Sequence, residues 1–149
     1  MSYSTQFAEK GLKLWDISNE YYSTVRLNLV SERNPKRSVN LSGRADYLIT
    51  TKDYSALEAL SHSLCVIEKQ SRGKPEKECE YQLQTYLFLL MNKYRFGSLL
   101  GLLILDDGRC RAFKATRNLH SCLYCSNDTF NIFFVVDVVE KVLRDLQMI

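Results

Sequence analysis

The sequence predicts a single α/β domain over residues 1–149, built as one mixed β-sheet with helices packed on it. Three observations carry this expectation. The chain has 149 residues, which suits one domain. Hydrophobic residues make up 46%, a globular composition able to bury a real core. Short strand-like stretches also follow one another before a long helical stretch, giving the order α-β-β-β-α-β-β-α.

Each element has its own reason. Residues 5–22 read as a first helix, because Phe7, Gly11, Leu14, Trp15 and Ile17 fall near one stripe with Glu9, Lys10, Lys13 and Asp16 off it. Residues 24–30, "TVRLNLV", alternate as a half-buried strand, with Val25, Leu27 and Leu29 inward and Arg26 and Asn28 outward. "SERNPKRS" is a loop built on Asn-Pro and charge. Residues 39–51 form a second strand interrupted by Gly43, followed by a connection with one helical turn. Residues 64–70, "LCVIEKQ", are a third strand. Pro75 suits the first turn of the helix predicted over 76–95, where Tyr81, Leu83, Leu87, Leu90, Met91 and Tyr94 are apolar at helical spacing. "SLLGLLILDDGRCRAFKAT" is a β-hairpin turning at Asp-Asp-Gly. "HSCLYCSND" reads as a loop, "NIFFVVD" as a strand or helix lead-in, and 137–147 as a closing helix. Its weakly capped end suggests a piece of something longer.

Charge and cysteine usage narrow the function classes. Twenty basic residues against 17 acidic ones leave a net +3, too mild to announce a nucleic-acid binder by itself. The cationic residues cluster, with Arg33, Lys36, Arg37 and Arg44 in fourteen residues. Five cysteines, with no apolar leader, predict a reducing intracellular setting, cytoplasm or nucleus. The apolar runs "YLFLLM" and "SLLGLLIL" are too short to span a bilayer, so no membrane partner is expected.

The third strand poses the functional question, because Cys65-Val66-Ile67 runs straight into Glu68-Lys69-Gln70. Strand alternation puts Glu68 and Gln70 on one face and Lys69 on the other. If the second and third strands pair, Asp46 and Glu68 become neighbours on that face. Two carboxylates so placed repel unless a cation lies between them, and Mg²⁺ takes one or two carboxylates plus water and phosphate. The plainer reading ends each strand in solvent. On the following helix Glu78, Gln82 and Tyr86 succeed one another four apart, which is also the pattern of an ordinary polar helix edge.

In this order, "GRADYLI", "VIEKQ" and "QLQTYL" resemble the PD-(D/E)XK nuclease superfamily, and Gln82-Leu-Gln-Thr-Tyr86 is similar to the QxxxY motif of its RecB-like branch. The resemblance covers about residues 5 to 115. It implies a restriction-endonuclease-like fold, a mixed β-sheet flanked by helices with an αβββαβ core. It also implies Mg²⁺- or Mn²⁺-dependent hydrolysis of nucleic acid, DNA more than RNA. Asp46 and Glu68 match metal-binding acids, and Glu9 could match the first-helix acid of some branches, with Glu20 its rival. Gln70 stands where the superfamily usually has its catalytic lysine. Gln82 and Tyr86 match the helix residues that position substrate or catalytic groups.

A glutamine can hydrogen-bond but brings no charge. Lys74 or Arg72 could supply it from the adjoining loop, while Arg44, Lys36, Arg37 and Lys74 would steer the phosphate backbone. One rival follows from this departure, an inactive domain of the fold serving as a nucleic-acid or protein interaction module. Another, a structural part of a larger protein or oligomer, is favoured if the chain is a fragment with a large exposed apolar patch.

Other patterns carry less. Cys122-Leu-Tyr-Cys125 with His120 and Cys110 could bind zinc, yet a single CxxC more often marks free cysteines. His62 reads as a solvated loop residue. Tyr21, Tyr22, Tyr47 and Tyr54 could stack on bases, though packing is the commoner role for tyrosines.

Overall fold

The computed structural model describes residues 2–51, 54–94, 96–116, 122–131, 135–145 and 149, with the backbone alone along 122–131. Helix α1 spans Tyr3–Glu9. The predicted first helix therefore stops well short of residue 22. Gly11, at φ 75°, takes the left-handed conformation that ends a helix. Its N–H reaches Ala8 O, and the Leu12 N–H reaches Phe7 O at 2.9 Å. After this stop the chain turns into strand β1, Lys13–Asp16. Leu14 and Trp15 thus belong to a strand, and the Trp15 indole donates to Thr50 Oγ1 on the neighbouring strand.

Strands β2 (Val25–Val30) and β3 (Ser38–Gly43) form a separate two-stranded ribbon. The stretch predicted as one strand over 39–51 is two strands in two different sheets, parted after Gly43. The second of them is β4, Tyr47–Thr50. A short helix α2 (Ala56–Ala59) leads to β5, Cys65–Lys69. Helix α3 spans Glu76–Lys93, and the hairpin β6 (Ser98–Ile104) and β7 (Arg109–Thr116) follows, all as the sequence predicts. Residues 122–131 form strand β8, paired antiparallel with β7, where the sequence suggested a loop. Its Ser, Asn and Asp content imitates turn chemistry, but the ladder to β7 overrides that preference. Helix α4 covers Val135–Asp145.

The main sheet is mixed, with strand order β1-β4-β5-β6-β7-β8. Every neighbouring pair is antiparallel except β5–β6, which is parallel and joined across α3. Helices flank both faces. Alternation divides the core in two: Leu48, Val66, Leu99, Leu103 and Phe113 face α3, while Ile49, Cys65, Ile67, Leu100 and Leu102 join Phe7 of α1 and Val139 and Leu143 of α4.

Helix α3 lies against the sheet through Leu83 and Leu87, made possible by Gly101. A Cβ there would stand 2.6 Å from Leu87 Cδ1, closer than packed atoms come. The ribbon covers another side of the same helix, where Gly43 meets Tyr86 and Leu89 and the half-buried Leu27 and Leu41 add apolar contact. No helix among the described residues is long and apolar enough to cross a membrane.

Candidate active site

Asp46 and Glu68 are brought together by antiparallel pairing. Tyr47 of β4 stands opposite Ile67 of β5, so the next residue outward on each strand is Asp46 on one and Glu68 on the other. By alternation both follow Leu48 and Val66 onto the α3 face. The Asp46 backbone is fixed from two sides: its N–H donates to Ile67 O at 3.2 Å, and its carbonyl accepts the Ile17 N–H at 2.9 Å. Its carboxylate also accepts the Lys69 backbone N–H at 2.9 Å, which sets the side chain's direction.

A cavity of about 580 Å³ opens at this point, between the ends of β3 to β5 and the first turns of α3. Asp46 and Glu68 line it, with Arg44 from the β3–β4 link, Lys74 from the loop after β5, and Glu78 and Gln82 from α3. Five expected site residues (Asp46, Glu68, Arg44, Lys74, Gln82) therefore share one cavity. Tyr81, expected in the apolar stripe of α3, is instead exposed and lines the cavity with the Thr85 hydroxyl, which the sequence does not single out. The i, i+3 spacing from Glu78 and Gln82 was the available signal.

The electrostatics are those of a crowded acidic pair with cations at its rim. Burial pushes the Glu68 carboxyl up to about 7, and the neighbouring Asp46 charge adds to the rise. Lys74 and Arg44 act in the opposite sense. Glu68 therefore exchanges its proton around neutrality, and the carboxylate pair is a donor set that a hard divalent ion would suit. Among the described residues no three His, Cys, Asp or Glu side chains form a metal-binding cluster. Two carboxylates supplemented by water and phosphate match the usual habit of Mg²⁺.

Three expected site residues lie elsewhere. Gln70 does not line the cavity, because both ends of its amide are engaged: Nε2 donates to Lys74 O at 2.9 Å and Oε1 accepts the Asp106 N–H at 3.0 Å. It ties the lysine-bearing loop to the β6–β7 turn. Tyr86 is fully buried, and its hydroxyl donates to Ser23 O at 2.6 Å in the turn Tyr21–Ser23. Burial raises that phenol's pKa, so it stays protonated as a donor. Glu9 is exposed on α1, whose Phe7 packs on the opposite face of the sheet, and so it lies away from the acid pair. Glu20 does not line the cavity either; it precedes the turn that receives Tyr86.

The secondary candidates resolve in part. Cys110 is buried under α4, where desolvation pushes its thiol up to about 12. His120 and the side chains of Cys122 and Cys125 lie outside the described residues, as does the Tyr21 side chain. His62 is exposed and stacks on Tyr54, ring centroids 4.1 Å apart. Tyr22 packs against the α3-side core and Tyr47 against the other. Comparison with known proteins gives no match, whether with family models, curated proteins or solved structures.

Proposed function

We propose that this domain is a divalent-metal-dependent nuclease of the PD-(D/E)XK type, hydrolysing phosphodiester bonds of nucleic acid, DNA in preference to RNA. The observation that carries the reading is the convergence of Asp46, Glu68, Lys74 and Gln82 on one cavity from four separate stretches of chain. The topology supports it as well. With the β2–β3 ribbon and the short α2 set aside, the order opens with a helix, three antiparallel strands, a helix and a parallel strand, which is compatible with the αβββαβ order of a restriction-endonuclease-like fold.

In this reading Asp46 and Glu68 hold the Mg²⁺ or Mn²⁺ ion. When bound, such an ion lowers the pKa of its water and offsets charge on the scissile phosphate. The chain's own groups do the rest. Lys69 N–H fixes the Asp46 carboxylate, so the ligand is already oriented. Lys74 takes the charge role that Gln70 cannot fill, and Gln70 anchors the Lys74 carbonyl, positioning the loop that carries it. Arg44 binds the phosphate from the other rim, and the Gln82 amide hydrogen-bonds substrate or water. An intracellular setting belongs to the same reading, and Cys65, Cys79 and Cys110 are buried and unpaired in keeping with it.

The test is cleavage of single- and double-stranded DNA and RNA with Mn²⁺ or with chelator. Wild type should cut in Mn²⁺ alone, and Asp46→Ala should lower the rate by at least about 10²-fold. Failure to cut any of the four substrates would leave a second reading, an inactive domain of the same fold used as an interaction module. One observation favours that alternative: both the nitrogen and the oxygen of the amide at the usual lysine position bond to backbone groups.

A further inference from the structure

We infer that the β2–β3 ribbon is a duplex-binding arm, which carries the double helix past the acidic cavity. The inference rests on the nuclease reading for its purpose, but the arm's binding is a separate property. Residues 25–44 hold Arg26, Arg33, Lys36, Arg37 and Arg44 against one acid, Glu32. Arg44 belongs to the link at the cavity; without it, four minus one is +3, equal to the net charge of the whole chain. The basic charge of this protein is therefore concentrated on the ribbon, and all five cations are exposed.

The ribbon's geometry suits a groove. Its inner face is anchored on α3 by Val25, Leu27, Leu41 and Gly43. Its outer face presents the cross-strand pairs Arg26–Ser42 and Asn28–Asn40, hydrogen-bonding side chains set side by side. These are residue types that contact base edges and phosphates, and a two-stranded ribbon is narrow enough for the major groove. At about 3.3 Å per residue, six residues of strand reach roughly 20 Å, near six base pairs of duplex. The far end carries exposed Leu29, Val30 and Val39 beside the loop bearing Arg33, Lys36 and Arg37. Ser42 lines both the acidic cavity and a hollow along the ribbon bordered by Arg26, Asn28 and Asn40, so arm and site adjoin.

Duplex is favoured over single strand because residues 25–44 contain no Phe, Tyr or Trp. Single-strand grooves depend on aromatic platforms for base stacking, and this arm has none to offer.

The experiment measures binding of a labelled 20-base-pair DNA duplex, the same DNA as a single strand, and anionic vesicles. It is run in EDTA over a range of salt, with wild type and the triple variant R33A/K36A/R37A. Circular dichroism checks that the variant is folded, and Mn²⁺-dependent cleavage is scored in parallel. Wild type should prefer duplex. The triple variant should lose duplex affinity on the order of 100-fold near 0.15 M salt, and its log–log salt slope should fall by about 3. Equal binding by variant and wild type overturns the arm, whatever the cleavage result. Preference for the single strand, or binding to vesicles without binding to duplex, also overturns it. Loss of cleavage with retained, arm-dependent duplex binding leaves the arm standing and removes the nuclease reading instead.

Discussion

The two faces of the main sheet are built from the same strands and do opposite things. On the α1/α4 face, Ile49, Cys65, Ile67, Leu100 and Leu102 form an apolar layer closed by Phe7, Val139 and Leu143. On the α3 face the layer begins in the same way with Leu48, Val66 and Leu99, then gives way at the ends of β4 and β5 to Asp46 and Glu68. Neighbouring residues on one strand can therefore have unrelated roles. Ile67 is core and Glu68 is site, one position apart, because alternation sends them to different faces. The cavity opens where Glu78 and Gln82 of α3 border the ends of β4 and β5, beside the buried stripe of Cys79, Leu83 and Leu87.

The largest effect expected from this contrast is on stability at the closed face. Ile67→Ala should cost about 2–5 kcal/mol, read by urea unfolding, since it opens a void in a layer with nothing to refill it. Tyr86→Phe should come next. It strips the partner from the Ser23 carbonyl in a buried turn and should cost about 1–2 kcal/mol, while cleavage by the folded protein stays near wild type. A folded, stable Tyr86→Phe protein that no longer cleaves would mean that the hydroxyl serves the reaction after all.

Glu68→Gln tests the open face through pH. The Glu68 carboxyl stands at about 7 in the folded chain, above the ordinary glutamate value of 4.5. Between those values the folded state binds more protons than the unfolded state, so stability from this group falls as pH rises from about 4.5 to 7. Allowing for solvent screening of a half-buried group, the loss should be on the order of 1–2 kcal/mol in chelator. Glu68→Gln should flatten that slope, and an unchanged slope would place the proton elsewhere. The smallest effect should come from Glu9→Ala. An exposed residue behind the sheet should move stability by less than about 0.5 kcal/mol and cleavage not at all.

Much of this contrast is legible in the sequence, and the failures have physical causes. The pair Asp46 and Glu68 follows from strand parity, Gln82 from its helical spacing and the resemblance, and Arg44 and Lys74 from their charge in the adjoining links. The helix over 76–93 and the hairpin after it are strongly periodic and come out nearly as read. Phe7 and Ile17 fit one helical stripe, which carries the expected first helix too far, though they pack on opposite faces of the sheet. Gly11 was the contrary signal. Tyr86 was read toward the site because i, i+4 spacing shows only one side of a helix. The ribbon's packing against α3, which buries that tyrosine, leaves no mark in the spacing. Gln70 likewise looked like a site residue by parity, while its true partners sit in the loop at Lys74 and the turn at Asp106.

The central claim is that Asp46 and Glu68 form a divalent-metal site on the open face. The most direct measurement is thermal unfolding with and without Mn²⁺ at pH 7.5, for wild type and Asp46→Ala. At a concentration near 100 times the dissociation constant, Mn²⁺ should stabilise wild type by about 2.7 kcal/mol, roughly 5–10 °C in Tm for a chain of this size. Metal-free Asp46→Ala should melt within a few degrees of metal-free wild type, because relief of the repulsion on Glu68 offsets loss of the Lys69 N–H bond to the carboxylate, and its Mn²⁺ shift should all but vanish. Equal Mn²⁺ shifts in the two proteins, or no shift in wild type, would contradict the account.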